Sequence, residues 1–271
     1  MAVAPTDLDQ GSFSDTPPWT LDDPRALVWR QGLDEVRARV AAEVPVLTQP
    51  SRWPPGDRLV TVTRRLGTAV ALWALRERRA GDSVSRAGIS RRLRVAAERL
   101  GPTYIKLGQI ISSGEGIFPA ELVGEFKLCR DRVPAEPFRL VREVIEADLG
   151  RPLEAVFRWV DRTPLAAASI AQVHAATLRT GEPVVVKVQR PTVAKLVRDD
   201  LRVMAWLAPK LVGRIPIAAL ANPPALVELF AQTITEELDF RLEAENMLDI
   251  ARTFVELGQR GYVVPRPHPT L

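Results

Sequence analysis

Apolar residues recur at spacings of three and four along residues 58–79, which is the period of one face of an α-helix. The recurring positions are Leu59, Val62, Leu66, Ala69 and Trp73. Arginines lie off this apolar face or beyond its end, at Arg64, Arg65, Arg76, Arg78 and Arg79. The pattern predicts a basic amphipathic helix, and Gly81 marks its end.

Two more helices are predicted further along this part of the chain. One runs from Arg86 to Leu100 and ends at Gly101. Pro102 can occupy the first turn of the next helix, which runs from Thr103 to Ser112. Residues 58–148 are therefore expected to form a helical extension.

Residues 1–57 have a different character, because they are rich in Pro, Asp and Thr and show helix-like content only at residues 24–44. We expect this stretch to be a loosely ordered leader. Its first thirty residues carry acidic and Pro residues where a secretory signal needs a basic start and an apolar run, so no export is indicated.

The hydrophobic period changes from helical to alternating after residue 148. Ile170–Leu178 is compatible with a strand and is followed by a polar turn at residues 179–182. In the next stretch, Pro183–Gln189, three valines at even positions alternate with Val185, Lys187 and Gln189. An antiparallel pair of strands is predicted. Asn222 and the two prolines after it then predict the start of a long helix that continues through Glu256.

Composition narrows the class of protein. A chain of 271 residues with 46% hydrophobic and 26% charged residues is globular, which excludes a disordered or fibrous protein. The single cysteine, Cys129, excludes an intrachain disulfide and a thiolate zinc site, and a cytoplasmic location is expected. The longest nearly uncharged apolar stretch, Leu66–Leu75, has ten residues, whereas a spanning helix needs about 20. The chain is not expected to cross a membrane by itself.

The formal net charge of +4 is concentrated in one segment. Residues 58–99 hold eleven Arg and three acidic residues, a surplus of +8, while residues 1–57 carry −4 and the remainder cancels. The basic helix in this segment either packs on the rest of the protein or lies on an anionic membrane surface. A nucleic-acid partner is not expected, because no aromatic-interleaved basic patch or recognised motif supports one.

Three local patterns could carry chemistry, and each also has a purely structural interpretation. Lys187 lies among valines, where a buried ammonium needs a partner, although an edge-strand lysine facing solvent fits equally well. The small residues of Pro164–Ser169 could let backbone N–H groups hold a phosphate, or they could form a plain tight turn. Residues 236–243 form an acidic helical segment in which Asp239 and Glu243 share a face, and a solvated surface explains them as well.

The order of these patterns is more informative than any one of them. A loop of small residues between strands, a lysine in the next strand and a glutamate on a following helix is the plan of a protein-kinase N-lobe. In that plan the lysine contacts the α- and β-phosphates of a nucleotide and is oriented by the glutamate. We therefore predict an α+β fold in which Lys187 pairs with Glu243. Glu237 and Asp239 would lie about 200° apart around a straight helix, so these two carboxylates could not both serve one site.

The chain resembles the UbiB/AarF family of atypical, kinase-like proteins in four ordered motifs. The family's Lys-x-Gly-Gln helix is similar to LGPTYIKLGQ, which is followed by DRVP, and its Ala-rich nucleotide loop is similar to PLAAASIAQVHAATL. The family's lysine strand is similar to VVVKVQRP, and its Glu-x-Asp motif is similar to ELD. The motifs begin at Leu100, Pro164, Val184 and Glu237.

The resemblance implies roles for particular residues. The nucleotide would be bound by Ala166, Ala167, Ala168, Ser169, Lys187 and Glu243. The regulatory helices would fold over the site where a typical kinase receives its peptide, with the residues Lys106, Gly108, Gln109, Glu237 and Asp239. Lys106 and Gln109 would point inward and partner Glu237 or Asp239, which would make protein substrates unsuitable.

The resemblance also implies partners and limits. ATP or ADP would be the cofactor, with Mg²⁺ in the full-length family, and the setting would be isoprenoid-quinone or lipid metabolism at a membrane surface. Residues 149–271 would form the kinase-like N-lobe. The sequence contains no Asp-Phe-Gly triplet and no His-x-Asp loop. Its one Asp-Phe pair, Asp239-Phe240, is followed by Arg241. We therefore expect that this chain lacks its C-lobe and does not turn over ATP. The alternative function is a non-catalytic module that binds a membrane surface or another protein. Formation of a dimer is a further open alternative.

Overall fold

The computed structural model describes residues 27–53, 56–129, 134–212 and 222–271, which form a set of packed helices and a small antiparallel sheet. One turn of 3₁₀ helix occurs at Val28–Arg30. The helices are α1 (Leu33–Thr48), α2 (Gly56–Arg76), α3 (Asp82–Leu100), α4 (Pro102–Ser112), α5 (Ala120–Phe126), α6 (Phe138–Leu149), α7 (Leu153–Val156), α8 (Val193–Leu211), α9 (Pro223–Glu237) and α10 (Phe240–Glu256). The strands are β1 (Phe157–Val160), β2 (Ala166–Ala167), β3 (Ala171–Leu178) and β4 (Pro183–Gln189). The predicted α+β class is confirmed.

Helices α2, α3 and α4 lie where the hydrophobic pattern predicts them. The predicted apolar face of α2 is the packed one, since Val62 and Ala69 are buried and Leu59 and Leu66 pack on the core. Helices α3 and α4 are joined at Gly101, whose φ of 105° lies in a region that side-chain-bearing residues rarely adopt. The glycine therefore lets two helices meet at a single residue.

The sheet is built around β3. Strand β4 pairs with it along its length, from Ala171 opposite Gln189 to Thr177 opposite Pro183. Strands β1 and β2 pair with other stretches of β3 on its remaining edge, and all of these pairings are antiparallel. This register places Lys187 opposite Val173, at the end of the sheet near the β2–β3 connection.

Helix α1 lies within residues 1–57, where we expected a loosely ordered leader, and here the structure differs from that expectation. Val40, Val44 and Leu47 of α1 are buried in the main hydrophobic core together with Leu201 of α8 and Phe230 of α9. These apolar residues recur at helical spacing, so burial of one face stabilises α1 despite the Pro45 inside it. The part of the leader before residue 27 lies outside the described residues.

The long helix predicted from Asn222 through Glu256 is interrupted. Helix α9 ends at Glu237, and α10 begins at Phe240. Asp239 between them has an extended backbone, with φ of −114°, and its carboxylate accepts a hydrogen bond from the Arg241 N–H at 3.1 Å. An aspartate in this arrangement caps a new helix, and this is the physical reason for the break.

An ion pair between Arg58 and Asp200 joins the helical extension to α8, the helix that follows β4 in the chain. Arg58 donates to both carboxylate oxygens of Asp200, at 2.6 and 3.0 Å, and to the Leu100 carbonyl oxygen at 2.6 Å. Burial raises the pKa of the Asp200 carboxyl, an effect that the Arg58 guanidinium opposes. The pair therefore holds α2, the end of α3 and α8 together. Within the described ranges, none of these helices has the length and apolarity needed to cross a membrane.

Candidate functional site

A cavity of about 900 Å³ lies between the β2–β3 connection, Lys187 of β4 and helices α1, α4, α9 and α10. Much of its wall is polar, and it contains residues from each of the predicted motifs. Those motif residues are Lys106, Gln109, Ala168, Ser169, Lys187, Glu237 and Glu243. The structure therefore brings together most of the residues that were predicted to form a site.

Lys187 and Glu243 form an ion pair in this wall. The Nζ atom of Lys187 contacts Oε2 of Glu243 and lies 4.6 Å from the centre of the Phe240 ring. The side chains of Lys187 and Glu243 are 36% and 40% exposed. Lys187 therefore lies on an edge strand, as the structural interpretation predicted, and it is also paired. Its ammonium stays accessible to an anion in the cavity.

The small-residue segment is only partly a loop. Ala166 and Ala167 form β2, paired with Val173 and Gln172, so their backbone groups belong to the sheet. Ala168 and Ser169 lie in the turn that follows and line the cavity. The Ala168 N–H donates to the Ala171 carbonyl oxygen at 2.8 Å and closes this turn. The cavity therefore meets the second half of the predicted segment.

Arg190 holds the turn in place, and the sequence analysis missed it. Its Nε donates to the Ala168 carbonyl oxygen at 3.1 Å, Nη1 to the Glu136 carboxylate at 2.8 Å and Nη2 to the Pro134 carbonyl oxygen at 2.9 Å. The guanidinium is buried. An arginine directly after the lysine strand, between Gln189 and Pro191, was the available signal.

The predicted regulatory residues separate into two groups. Lys106 of α4 pairs with Glu237, and Gln109 lies on the cavity wall. Asp239 instead pairs with Arg241 at 2.7 Å and with Arg39 at 3.5 Å. Of the two partners expected for Lys106, the structure therefore brings it to Glu237.

The helix break explains why Glu237 and Asp239 diverge. Glu237 belongs to the last turn of α9, whereas Asp239 caps α10. Gln189 of β4 donates to the Leu238 carbonyl oxygen between them at 2.7 Å. Although partial burial acts to raise the pKa of Asp239, hydrogen bonds from Arg241 outweigh it and hold that pKa below its usual range. Asp239 is thus a charged cap of α10.

Gly108 has a packing role rather than a place on the cavity wall. A Cβ atom at this position would lie 2.3 Å from Cδ1 of the buried Phe126 ring. Helices α4 and α5 therefore approach so closely at Gly108 that a side chain does not fit.

Further residues of the wall were not predicted as site residues. Glu228, Gln232 and Glu236 of α9 and Asn246 of α10 line the cavity. Among the residues that the structure describes, no group of three or more His, Cys, Asp or Glu residues is arranged to hold a metal ion. The motif residues Asp131 to Val133 lie outside the described ranges.

Comparison with known proteins places the chain among kinase-like proteins. Residues 128–268 match the ABC1 atypical kinase-like domain. A probable protein kinase UbiB of Aeromonas hydrophila is 36% identical over 244 residues, or 89% of this chain, and one of Marinobacter nauticus is 40% identical over 163 residues, or 60%. An uncharacterized aarF domain-containing protein kinase of Arabidopsis thaliana, named as chloroplastic, is 39% identical over 170 residues, or 62%. The chain spans 39%, 30% and 32% of the lengths of these three relatives.

Replacing Gly108 with Ala is expected to lower the free energy of unfolding by about 1 to 3 kcal/mol, because the new methyl group must displace the Phe126 ring. Urea titration of both proteins measures the change. Gly67→Ala in α2 is the matched control, since open space surrounds that position and alanine favours a helix by about 0.5 to 1 kcal/mol. An equal effect of the two substitutions would contradict the packing role of Gly108.

Proposed function

Since the chain belongs to the UbiB/AarF family of ABC1 atypical kinase-like proteins, we propose that it binds ADP or ATP with the phosphates at Lys187. The observation that carries this proposal is the Lys187–Glu243 ion pair beside the Ala168–Ser169 turn in the cavity wall. The pair supplies an accessible, oriented ammonium, and the turn supplies a narrow approach without bulky side chains. This combination suits a phosphate chain.

The sheet offers an apolar surface for the base. Because side chains of a strand alternate between faces, Val185 points to the same face as Lys187, and their partners on β3 are Ala175 and Val173. Val185 is 43% exposed. A purine ring lying against Val173, Ala175 and Val185 would place its phosphates towards Lys187, which is the arrangement that the proposal requires.

Helix α4 supports a small-molecule substrate. Lys106 and Gln109 of this helix line the same cavity as Lys187, and the Lys106–Glu237 pair ties α4 to α9. A helix in this position leaves little room for an extended peptide. Together with the family membership, this favours a role in isoprenoid-quinone or lipid metabolism over phosphorylation of proteins.

Lys187→Ala is expected to weaken ADP binding at least about tenfold, because a charge-assisted contact with the phosphates is lost. Calorimetric titration of ADP and of ATP with Mg²⁺ measures the affinity. Lys195→Ala is the matched control, since Lys195 pairs with Asp199 on the surface of α8 and is 84% exposed. Equal affinities of wild type and Lys187→Ala would remove Lys187 from the nucleotide site.

A second proposed role is contact with an anionic membrane surface through the outer face of α2. Opposite the packed face of this helix, Val60, Ala71 and Leu75 are exposed to solvent, Arg64 is exposed on the same face, and Arg76 is exposed at the last residue of the helix. An exposed face that combines apolar residues with arginines suits the boundary between lipid headgroups and acyl chains. This face would attach the protein without crossing the bilayer.

Neutralising Arg64 and Arg76 together, as glutamines, should reduce co-sedimentation with phosphatidylserine vesicles about tenfold or more, since each arginine near an anionic surface contributes about 1 kcal/mol. Arg139→Gln with Arg252→Gln removes the same charge from exposed positions on other helices and should leave binding unchanged. If the wild-type protein does not co-sediment with these vesicles, or if the two double variants bind them equally, the α2 face is not a membrane-binding surface.

A further inference from the structure

The chain around the Val28–Arg30 turn packs on the face of α10 that carries Leu248 and Ala251. Leu27 is 1% exposed and forms a small hydrophobic core with those two residues. Trp29 and Val264 pack against this core. The Val28 N–H donates to the Pro269 carbonyl oxygen at 3.1 Å. Residues 27–30, which we name the N-terminal clasp, therefore lie between α10 and the chain near Pro269.

An ion pair fastens the clasp to α10. Arg30 Nε donates to Oε2 of Glu245 at 2.8 Å, and its Nη2 donates to Oε1 at 2.7 Å. The Glu245 side chain is 8% exposed, so water contributes little to stabilising its charge. Donating these hydrogen bonds to the Glu245 carboxylate raises the pKa of Arg30 above its ordinary value. A two-pronged contact of this kind fixes orientation as well as distance.

The fully buried residues of α10 all lie at the clasp or at the small core that it completes. The buried residues of this helix are Glu245, Leu248 and Ala251, and each contacts the clasp or the small core that the clasp completes. Towards its start, α10 is joined to α9 through the break at Leu238 and Asp239, where Phe240 packs on the main core. The helix that carries Glu243 is therefore held by a small number of side chains.

Glu243 and Glu245 are two residues apart, which places them about 200° apart around the helix. Lys187 contacts α10 from the sheet side through Glu243, and Arg30 contacts it from nearly the opposite side through Glu245. A helix gripped from two sides has less freedom to rotate or withdraw than one gripped from a single side. Release of Arg30 would leave Glu243 free to move away from Lys187.

We infer that the N-terminal clasp is a regulatory element that sets the position of α10, with Arg30 as the positioning residue for the Lys187–Glu243 pair. This inference deepens the proposed nucleotide site and rests on it for its effect on affinity. Arg30 does not contact the cavity wall at Lys187; it acts through Glu245 and the body of α10. Any event that withdraws the clasp would weaken nucleotide binding without touching the ligand.

The test compares Arg30→Gln with Arg252→Gln, which removes an exposed arginine paired with Asp249 on α10 itself. Two quantities are measured on the nucleotide-free full chain: hydrogen exchange of the amides of residues 242–251, and the rate of reductive methylation of Lys187 relative to Lys195. Arg30→Gln is expected to speed amide exchange in α10 at least about tenfold, because a buried carboxylate loses its partner. It is also expected to speed methylation of Lys187 several-fold. Arg252→Gln should change neither.

Two further variants separate a local effect from unfolding. Exchanging the charges, as Arg30→Glu with Glu245→Arg, should restore slow exchange in α10 and low reactivity of Lys187. Exchange in α3 and α4 reports whether the remaining structure is intact and should match wild type in every variant. Faster exchange throughout all helices would show a general structural role and overturn the inference.

ADP titration of these variants completes the experiment. The inference predicts weaker ADP binding in Arg30→Gln and recovery in the charge-exchanged protein. Unchanged exchange in α10 and unchanged Lys187 reactivity in Arg30→Gln would overturn the clasp. Failure of the wild type to bind ADP would instead overturn the proposed function, while exchange and methylation still decide whether Arg30 positions Glu243.

Discussion

The ion pair between Lys187 and Glu243 joins the sheet to helix α10, and the arrangement of the cavity depends on it. Lys187 lies on an edge strand, and Glu243 lies on a helix with few buried residues. Neither element alone would hold a cation facing a cavity, because a flexible lysine on a sheet edge samples many positions in water. Pairing across the two elements restricts the ammonium and still leaves it accessible.

Strand β4 and the residue that follows it connect this pair to the rest of the site through three polar side chains. Lys187 contacts α10, Gln189 binds the Leu238 carbonyl oxygen at the helix break, and Arg190 binds the Ala168 carbonyl oxygen in the turn. The strand therefore determines the positions of the turn, the break and the helix together. A buried arginine with three partners is costly to disturb, which explains how a turn of small side chains keeps a defined shape.

Local patterns made part of this architecture predictable. The β3–β4 hairpin follows from alternating valines and a polar turn, and α2 to α4 follow from periodicity and from Gly101 with Pro102, because these signals are contained in a few neighbouring residues. The pairing of Lys187 with Glu243 required only their order along the chain. The apolar spacing of Val36, Val40, Val44 and Leu47 was also present in α1, but the Pro-rich composition around it obscured the pattern.

Other features depend on contacts that no local pattern contains. Arg190 reaches Glu136, which is 54 residues away in the sequence, so its role appears only in three dimensions. The break at Asp239 separates α9 from α10 although the helical pattern of the sequence continues through it. Gln189 of β4 stabilises this break through the Leu238 carbonyl oxygen. The clasp joins Arg30 to Glu245 across 215 residues. Such long-range contacts fix the orientation of α10 and of the turn, which is why the sequence indicated the site residues but not how they are held.

The central claim is that Lys187 lies beside the phosphates of a bound nucleotide. An acyl-phosphate derivative of ADP tests it most directly, because this reagent transfers its acyl group to a lysine amine near the phosphates, and the chain has only five lysines to compare by mass spectrometry. The account predicts labelling of Lys187 that excess ADP suppresses, with the exposed Lys195 unaffected by ADP. Labelling of Lys187 that is no greater than that of Lys195, and that ADP does not suppress, would contradict it.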